Sequence, residues 1–510
     1  AGAGAGAGAA QPTQVNKTRL REWLDQEVGK DPVLYVQFDS VPSNFIEVRC
    51  VLNTDPLPPR LRPYLELYLE SCFSLPVKRA AAGAAAGELI PYEDFVAELQ
   101  DKTVHYGNSQ GIGGCNFTCG AFSQAMMVTI KVEEGRERYE EAARLLGKVL
   151  FLSSFTAERL AVAAKNLVSD ISEQRREGEL LARALLRERL YTGEGSNHRA
   201  CNLIRQHRFL SNVLQRLESE PDQVVADMEE FRSILTHPSN IFIQVIADVS
   251  KLPEAKRCWT GDFFLPSRPQ PYTISSPGII SHSRTFHSPA VSSPPGSLLL
   301  VSLQAIESSY LYAASKGLPG FQHPDTAPFL VTVELLCSIE GPMWKLIRGL
   351  GLAYSFSIFG DADEGLVYFS LSRSTSPARA FSESKGLVAS FASSATPIEG
   401  VALENAKASV ISAVVSREQT PSSTGLQAIM SALRGTGHGH NARLLEAVAA
   451  VQEQDCMRIL QTYLVHLFDP KTSNVCVTTS SSKQEEVCAG FERMGWTVDK
   501  HEGLETVVQD

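Results

Sequence analysis

One order of elements runs through this chain twice, and few folds can be built that way. From residue 31 the pattern reads strand, helix, strands, helices, strand. Leu34–Phe38 and Phe45–Asn53 alternate like strands, and Arg60–Leu75 is helical behind Pro58-Pro59. Tyr92–Gln100 is a short amphipathic helix; Thr103–Tyr106 and Ala121–Val132 are strands flanking a glycine-rich hairpin, Gly107–Gly120. Helical spacing then runs from Arg138 to Leu190, and Ile241–Val249 closes the block. The second block opens with strand Leu298–Ile306, continues with one long helix over Ala327–Arg348, and pairs Ala353–Phe359 with Gly365–Arg373. Helices follow at Ala378–Ser393, Ile398–Arg417 and Ala442–Leu467, then strand Asn474–Thr479 and helix Glu485–Met494. The expectation is a duplicated α+β fold, with an Ala/Gly lead-in over 1–30, a first domain over 31–255, a Pro/Ser-rich linker over 256–297 and a second domain over 298–510.

Composition excludes some classes of function. With 43% hydrophobic and 20% charged residues the chain is of ordinary globular make-up. Its net charge of −10 leaves no basic excess for nucleic acid, and no apolar run nears the ~20 residues that cross a bilayer. The chain begins at Ala1 with an Ala/Gly repeat that lacks the charged and apolar regions of a signal peptide, so further sequence is expected upstream. The ten cysteines contain no CxxC pair; Cys115 and Cys119 match no common zinc spacing and read as plain hairpin thiols. Reduced thiols point to an intracellular protein, cytosolic or mitochondrial. A charged stretch, Glu173–Glu188, reads as a solvated helix face, and His438-Gly439-His440 as a solvated loop.

The chemistry concentrates in Glu340-Gly341-Pro342-Met343-Trp344-Lys345-Leu346-Ile347-Arg348-Gly349-Leu350-Gly351-Leu352-Ala353-Tyr354-Ser355, read as a helix end, a glycine-rich turn and a strand start. It sets a guanidinium fork and a phenol six residues apart, a pair able to hold a peptide carbonyl or a carboxylate. The plainer readings are that Arg348 complements a helix C-terminus capped by Gly349, and that Tyr354 is a half-buried strand residue.

This run resembles the C-terminal half of the pitrilysin/insulinase zinc metallopeptidases, the inverzincins, and in particular their presequence-protease-like members. Weaker supporting matches are Val41-Pro42-Ser43-Asn44-Phe45, Arg62-Pro63-Tyr64, Pro91-Tyr92-Glu93 and Glu307-Ser308-Ser309-Tyr310-Leu311. The resemblance implies two homologous α/β sandwich domains of the LuxS/MPP-like metallopeptidase type, together half of a clamshell that closes over peptides. In that family zinc sits in the other half on an HxxEH helix, with two histidines as ligands and the glutamate as base. No HxxEH or HExxH occurs here, since His282/His287 and His438/His440 are not at i,i+4. The resemblance therefore implies no zinc bound by this chain and an HxxEH-bearing partner half, upstream or on another chain. By the same resemblance Arg348 orients the substrate backbone and Tyr354 donates to the developing oxyanion. The family usually has glycine after the tyrosine, where this chain has Ser355. The other implied function is a non-catalytic assembly scaffold of the same fold.

Overall fold

The computed structural model of the chain describes residues 32, 34–79, 88–264, 280–294, 296–504 and 507. The Ala/Gly lead-in and the second Ala/Gly tract at 80–87 lie outside them.

The first unit is built on β1 (Tyr35–Ser40) and β2 (Phe45–Asn53), then α1 (Leu65–Ser71), a two-residue pair β3 (Val77–Lys78) and β4 (Leu89–Ile90), and α2 (Tyr92–Lys102). There follow β5 (His105–Ile112), β6 (Ala121–Glu133), α3 (Arg136–Gly147), α4 (Ala157–Gln174), α5 (Gly178–Leu190), α6 (Leu203–Ser219), α7 (Pro221–Leu235) and β7 (Ile241–Ala247). The second unit holds β8 (Ser297–Leu303), β9 (Ser309–Lys316), α8 (Thr326–Cys337), α9 (Pro342–Ile347), β10 (Ala353–Asp361) and β11 (Leu366–Ser374). Then come α10 (Pro377–Ala392), α11 (Gly400–Ser416), α12 (Pro421–Arg434), α13 (His440–Ala450), α14 (Glu453–Ile459), β12 (Ser473–Ser480), α15 (Gln484–Glu492) and β13 (Thr497–Glu502).

The repeated order of elements becomes a repeated sheet. The first sheet runs β1-β7-β2-β6-β5, and the second runs β8-β12-β9-β11-β10 with β13 added beside β8. Pairing directions agree strand for strand: β1 lies parallel to β7 as β8 does to β12, and the remaining equivalent pairs are antiparallel. Period-two alternation sends Ile46, Val48, Cys50 and Leu52 of β2 into one core, with Met126, Val128, Ile130 and Val132 of β6. Leu311, Ala313, Val367, Phe369, Val475 and Val477 fill the second core beneath α8, α10 and α14.

The opposite face of each sheet is covered by a helix from the other unit. α5 packs on β9 and β12: Thr478 donates to the Gly178 carbonyl at 2.8 Å, and a Cβ at Gly178 would stand 2.5 Å from the Tyr310 ring. α12 packs on β7, with Ile429 and Met430 against Val51, Ile112, Phe122 and Phe242. Arg49 donates to the Ser422 carbonyl at 2.9 Å and Gln244 to the Gly425 carbonyl at 2.6 Å, which seats α12 across the first sheet.

Four expectations change. The helix expected over Ala327–Arg348 is two helices, α8 and α9, because Glu340 turns left-handed (φ 62°) and Pro342 brings no amide to continue a ladder. The stretch Ala442–Leu467 is likewise interrupted at Val451, while α12 and β13 have no counterpart in the sequence reading. The Glu173–Glu188 run is solvated only at its start: within α5, Leu181, Ala182, Leu185, Leu186 and Leu190 are buried, and Glu179 accepts from Tyr312 (3.2 Å) and Ser372 (2.6 Å). The Pro/Ser-rich stretch is ordered where described, with Trp259 buried in the first core and donating to the Tyr139 hydroxyl at 2.7 Å. Residues 265–279 of that stretch lie outside the described residues.

Candidate functional site

The site grows from the turn between α9 and β10. Met343, Ile347 and Leu352 are buried in the second core and anchor both sides of it. Helix α9 ends as its last carbonyls turn back: the Arg348 and Gly349 amides both donate to the Trp344 carbonyl (2.9 and 3.3 Å), and Leu352 donates to Ile347 at 2.9 Å. A Cβ at Gly349 would stand 2.1 Å from the Lys345 carbonyl oxygen, and Gly351 has φ 65°, so the turn needs glycine at both positions. The end of β11 clamps the turn from the other side, with Ser374 donating to the Leu352 carbonyl (2.7 Å) and Thr375 to that of Gly351 (3.0 Å).

This geometry brings Arg348 and Tyr354 together. The Arg348 guanidinium carbon lies 5.0 Å from the centroid of the Tyr354 ring. Tyr354 is 61% exposed rather than half-buried, and it sits on β10, whose only sheet neighbour among the described residues is β11. A third residue joins them: the guanidinium carbon of Arg373 lies 5.7 Å from the same ring. Arg373 has φ 49° and falls where the β11–β9 register breaks between Leu371 and Ser374. The break re-aims its side chain toward β10, as bulges do. Among the described residues neither guanidinium meets a carboxylate, and the Tyr354 hydroxyl has no hydrogen-bond partner. The cluster is an exposed set of donors at a free strand edge, able to take a carbonyl or carboxylate oxygen. Ser355 pairs with Ser372 across the ladder and leaves the turn undisturbed.

Among the described residues there is no group of three or more His, Cys, Asp and Glu side chains that could hold a metal ion. His438 is exposed, and His440 opens α13. No helix among the described residues is long and apolar enough to cross a membrane. A cavity of about 450 Å³ lies away from Tyr354, between β2, β5, β6 and α12. Its most buried charges are already matched, because Arg49 pairs with Glu47 at 2.6 Å.

A polar cluster between the units escaped the sequence reading. Cys115 is exposed, but Cys119 is buried with its thiol against Cys201 and His198. His198 Nε2 stands 3.1 Å from Glu364, and Arg187 is 3.6 Å from the same carboxylate oxygen. Tyr368 also donates to Glu364. The hydrogen bond from Cys201, with His198 and Arg187 nearby, holds the Cys119 thiol well below the usual range, while burial pushes Cys201 up. All ten cysteines are free thiols.

No family model matches the sequence. An uncharacterized protein of Schizosaccharomyces pombe is 25% identical over 503 residues, which is 96% of this chain and 47% of that one. Uncharacterized proteins of Saccharomyces cerevisiae and Caenorhabditis elegans are each 23% identical, covering 92% and 90% of this chain and 45% and 44% of their own. The chain thus spans a little under half the length of the curated relatives it matches. Among solved structures, a protease from Helicobacter pylori superposes with TM-score 0.61 at 12% identity, over 88% of this chain and 97% of that one. A peptidase M16 inactive domain from Pseudomonas fluorescens superposes with TM-score 0.62 at 12% identity, over 89% of this chain and 97% of that one. The chain therefore shares the α+β fold of these two structures, one of them a peptidase M16 inactive domain.

Proposed function

We propose that this chain is the non-zinc, substrate-binding half of an M16-type zinc metalloendopeptidase of the pitrilysin kind, acting on peptides enclosed with an HxxEH-bearing half. The observation that carries this reading is the Arg348–Tyr354 pair, held exposed at a free strand edge without an internal partner. The cation–π contact between the two side chains presets them near one another, which lowers the entropic cost of ordering both around a peptide. The M16 fold supports the reading from the other end, since halves of this kind work against a catalytic half.

Arg348 would lie along the peptide backbone and fix its direction through a planar fork. Tyr354 would donate a hydrogen bond to the carbonyl oxygen of the bond to be cut, which gains charge as the carbonyl is attacked. The zinc would be held by the HxxEH-bearing half, upstream on the same polypeptide or on a separate chain.

The test is peptidase activity and zinc content of this chain alone, and then mixed with a candidate HxxEH half. Silence alone with activity on mixing supports the proposal. Silence in both moves the reading to a non-catalytic scaffold. In the active mixture Arg348→Ala and Tyr354→Phe are each expected to lower kcat/KM by roughly 10–1000-fold, the scale of a lost oxyanion donor, with zinc content unchanged. Normal turnover in both variants would overturn the assigned roles.

A further inference from the structure

Carboxylates outnumber Lys and Arg in this chain, 57 to 47. At one corner of the second unit the balance inverts. Arg417 caps the C-terminus of α11, Arg434 ends α12, His440 opens α13 and Arg443 lies in its first turn. Arg417, Arg434 and His440 are half-buried, and Arg443 is exposed. Among the described residues none of these three arginines forms an ion pair with a carboxylate.

Contacts between the elements hold the group together. The Asn441 amide donates to the Glu418 carboxylate at 2.5 Å, tying the start of α13 to the residue beside Arg417. Arg434 lies over the Phe321 ring at 5.0 Å, and its buried Nε has no acceptor. Arg443 donates to the Thr436 carbonyl and lies along the backbone at Gly439. The nearby acids are otherwise engaged. Glu418 is held by Asn441, and Asp363 accepts from Ser283 and pairs with His282 at 2.8 Å. Asp361, which accepts from the Asp363 and Glu364 amides, attracts Arg434 without forming an ion pair.

Like charges gathered in a partly dry corner repel, a cost that a bound anion would relieve. We propose that Arg417, Arg434 and Arg443, with His440, form a binding site for a phosphate-type oxyanion. One carboxylate would balance a single guanidinium. A phosphate dianion brings two charges and several acceptor oxygens, which suits guanidinium donors carried on the adjoining ends of α11, α12 and α13. The amino end of α13, an eleven-residue helix, adds its dipole to the same place. Burial and then the surrounding arginines hold His440 below its ordinary value, as expected of an uncompensated cationic corner.

The proposal is tested on the full chain by calorimetric titration with inorganic phosphate and with pyrophosphate, against sodium acetate at matched ionic strength. Saturable one-to-one binding of pyrophosphate, weaker binding of phosphate and none of acetate is the expected result. Arg417→Gln should weaken pyrophosphate binding roughly tenfold or more, the worth of one charged hydrogen bond. Arg434→Gln should do the same, but it also removes the cover of Phe321 and could disturb folding. Arg417 has no partner to lose, so its variant decides the matter. Arg136→Gln, on a distant helix where Arg136 pairs with Glu140, should change nothing. Absence of saturable binding, equal binding of acetate, or undiminished binding by folded Arg417→Gln would each overturn the site.

Discussion

Tyr354 is held between two cations that come from different elements. Arg348 reaches it from the end of α9 and Arg373 from the irregular end of β11. The first was legible in the sequence because the glycine-rich turn sets its distance from Tyr354 along the chain. Arg373 was not, because its approach depends on a left-handed backbone at φ 49° inside what reads as an ordinary strand. A non-glycine residue there costs about 1–2 kcal/mol, so the surrounding structure holds the backbone against a local preference. An exposed cation–π contact is worth about 0.5–1 kcal/mol, which sets the prediction for this residue. In an active mixture with a catalytic half, Arg373→Ala should lower kcat/KM by about two- to fivefold, well short of the loss on removing Arg348. Steady-state kinetics on both variants would settle it, and an Arg373→Ala enzyme as impaired as Arg348→Ala would contradict the ranking. Cys119 teaches a similar lesson: its spacing from Cys115 is local, but its environment is made by Cys201 and His198, about eighty residues away along the chain.

At the scale of elements, α5 and α12 play matching parts, each closing the open face of the other unit's sheet. Helix α12 was missed because PSSTGLQAIMSALR opens with Ser, Thr and Gly, which read as a loop. It is helical because Thr420 and Ser423 form a reciprocal cap, Pro421 suits the first turn, and its apolar side meets the first sheet. Gly425 permits that contact, since a Cβ there would lie 2.3 Å from the Ile246 side chain. Gly425→Ala is therefore expected to destabilise the protein by roughly 1–3 kcal/mol through overpacking, although alanine favours helices elsewhere. Urea unfolding would measure it, and a stabilised variant would show that α12 does not sit so closely. The same logic explains α5, whose charges were read as solvated. Leu181, Leu185, Leu186 and Leu190 are each worth ~1.5–3 kcal/mol when buried, enough to offset the desolvation of paired Arg187 and Glu364.

For the whole molecule, the pairing of the units depends on a buried ionic cluster with a definite pH signature. Burial and Arg187 would lower the pKa of His198, but Cys119 and Glu364 overcome them and raise it to about 9. Burial would raise Glu364, yet His198, Arg187 and Tyr368 bring it down to about 2. Because the folded state holds the His198 proton more tightly, that stabilisation is complete below 6.5 and drains away as pH climbs to about 9. The Glu364 contribution is complete above 4.5 and is lost as pH falls toward about 2. Both act together between 4.5 and 6.5; above that window the His198 share drains while the lowered Cys119 thiol acts in the opposite sense, so the stability lost on His198→Gln should shrink as pH rises toward about 9. Melting followed by circular dichroism across the range would show it, and an unchanged alkaline slope in the variant would rule out His198 as the source.

What the sequence determined by itself was local or periodic. Alternation along β2, β6 and β12 set which residues face a core, and the doubled order of elements set a duplicated α+β architecture. The glycine-rich turn set Arg348 beside Tyr354, because a few bonds connect them. Only the tertiary structure decided which helix covers which sheet, which arginine completes the Tyr354 cluster, and which charges are buried between the units. Those outcomes rest on contacts between residues far apart in the chain, where periodicity carries no information about the partner and the energy lies in desolvation and close packing.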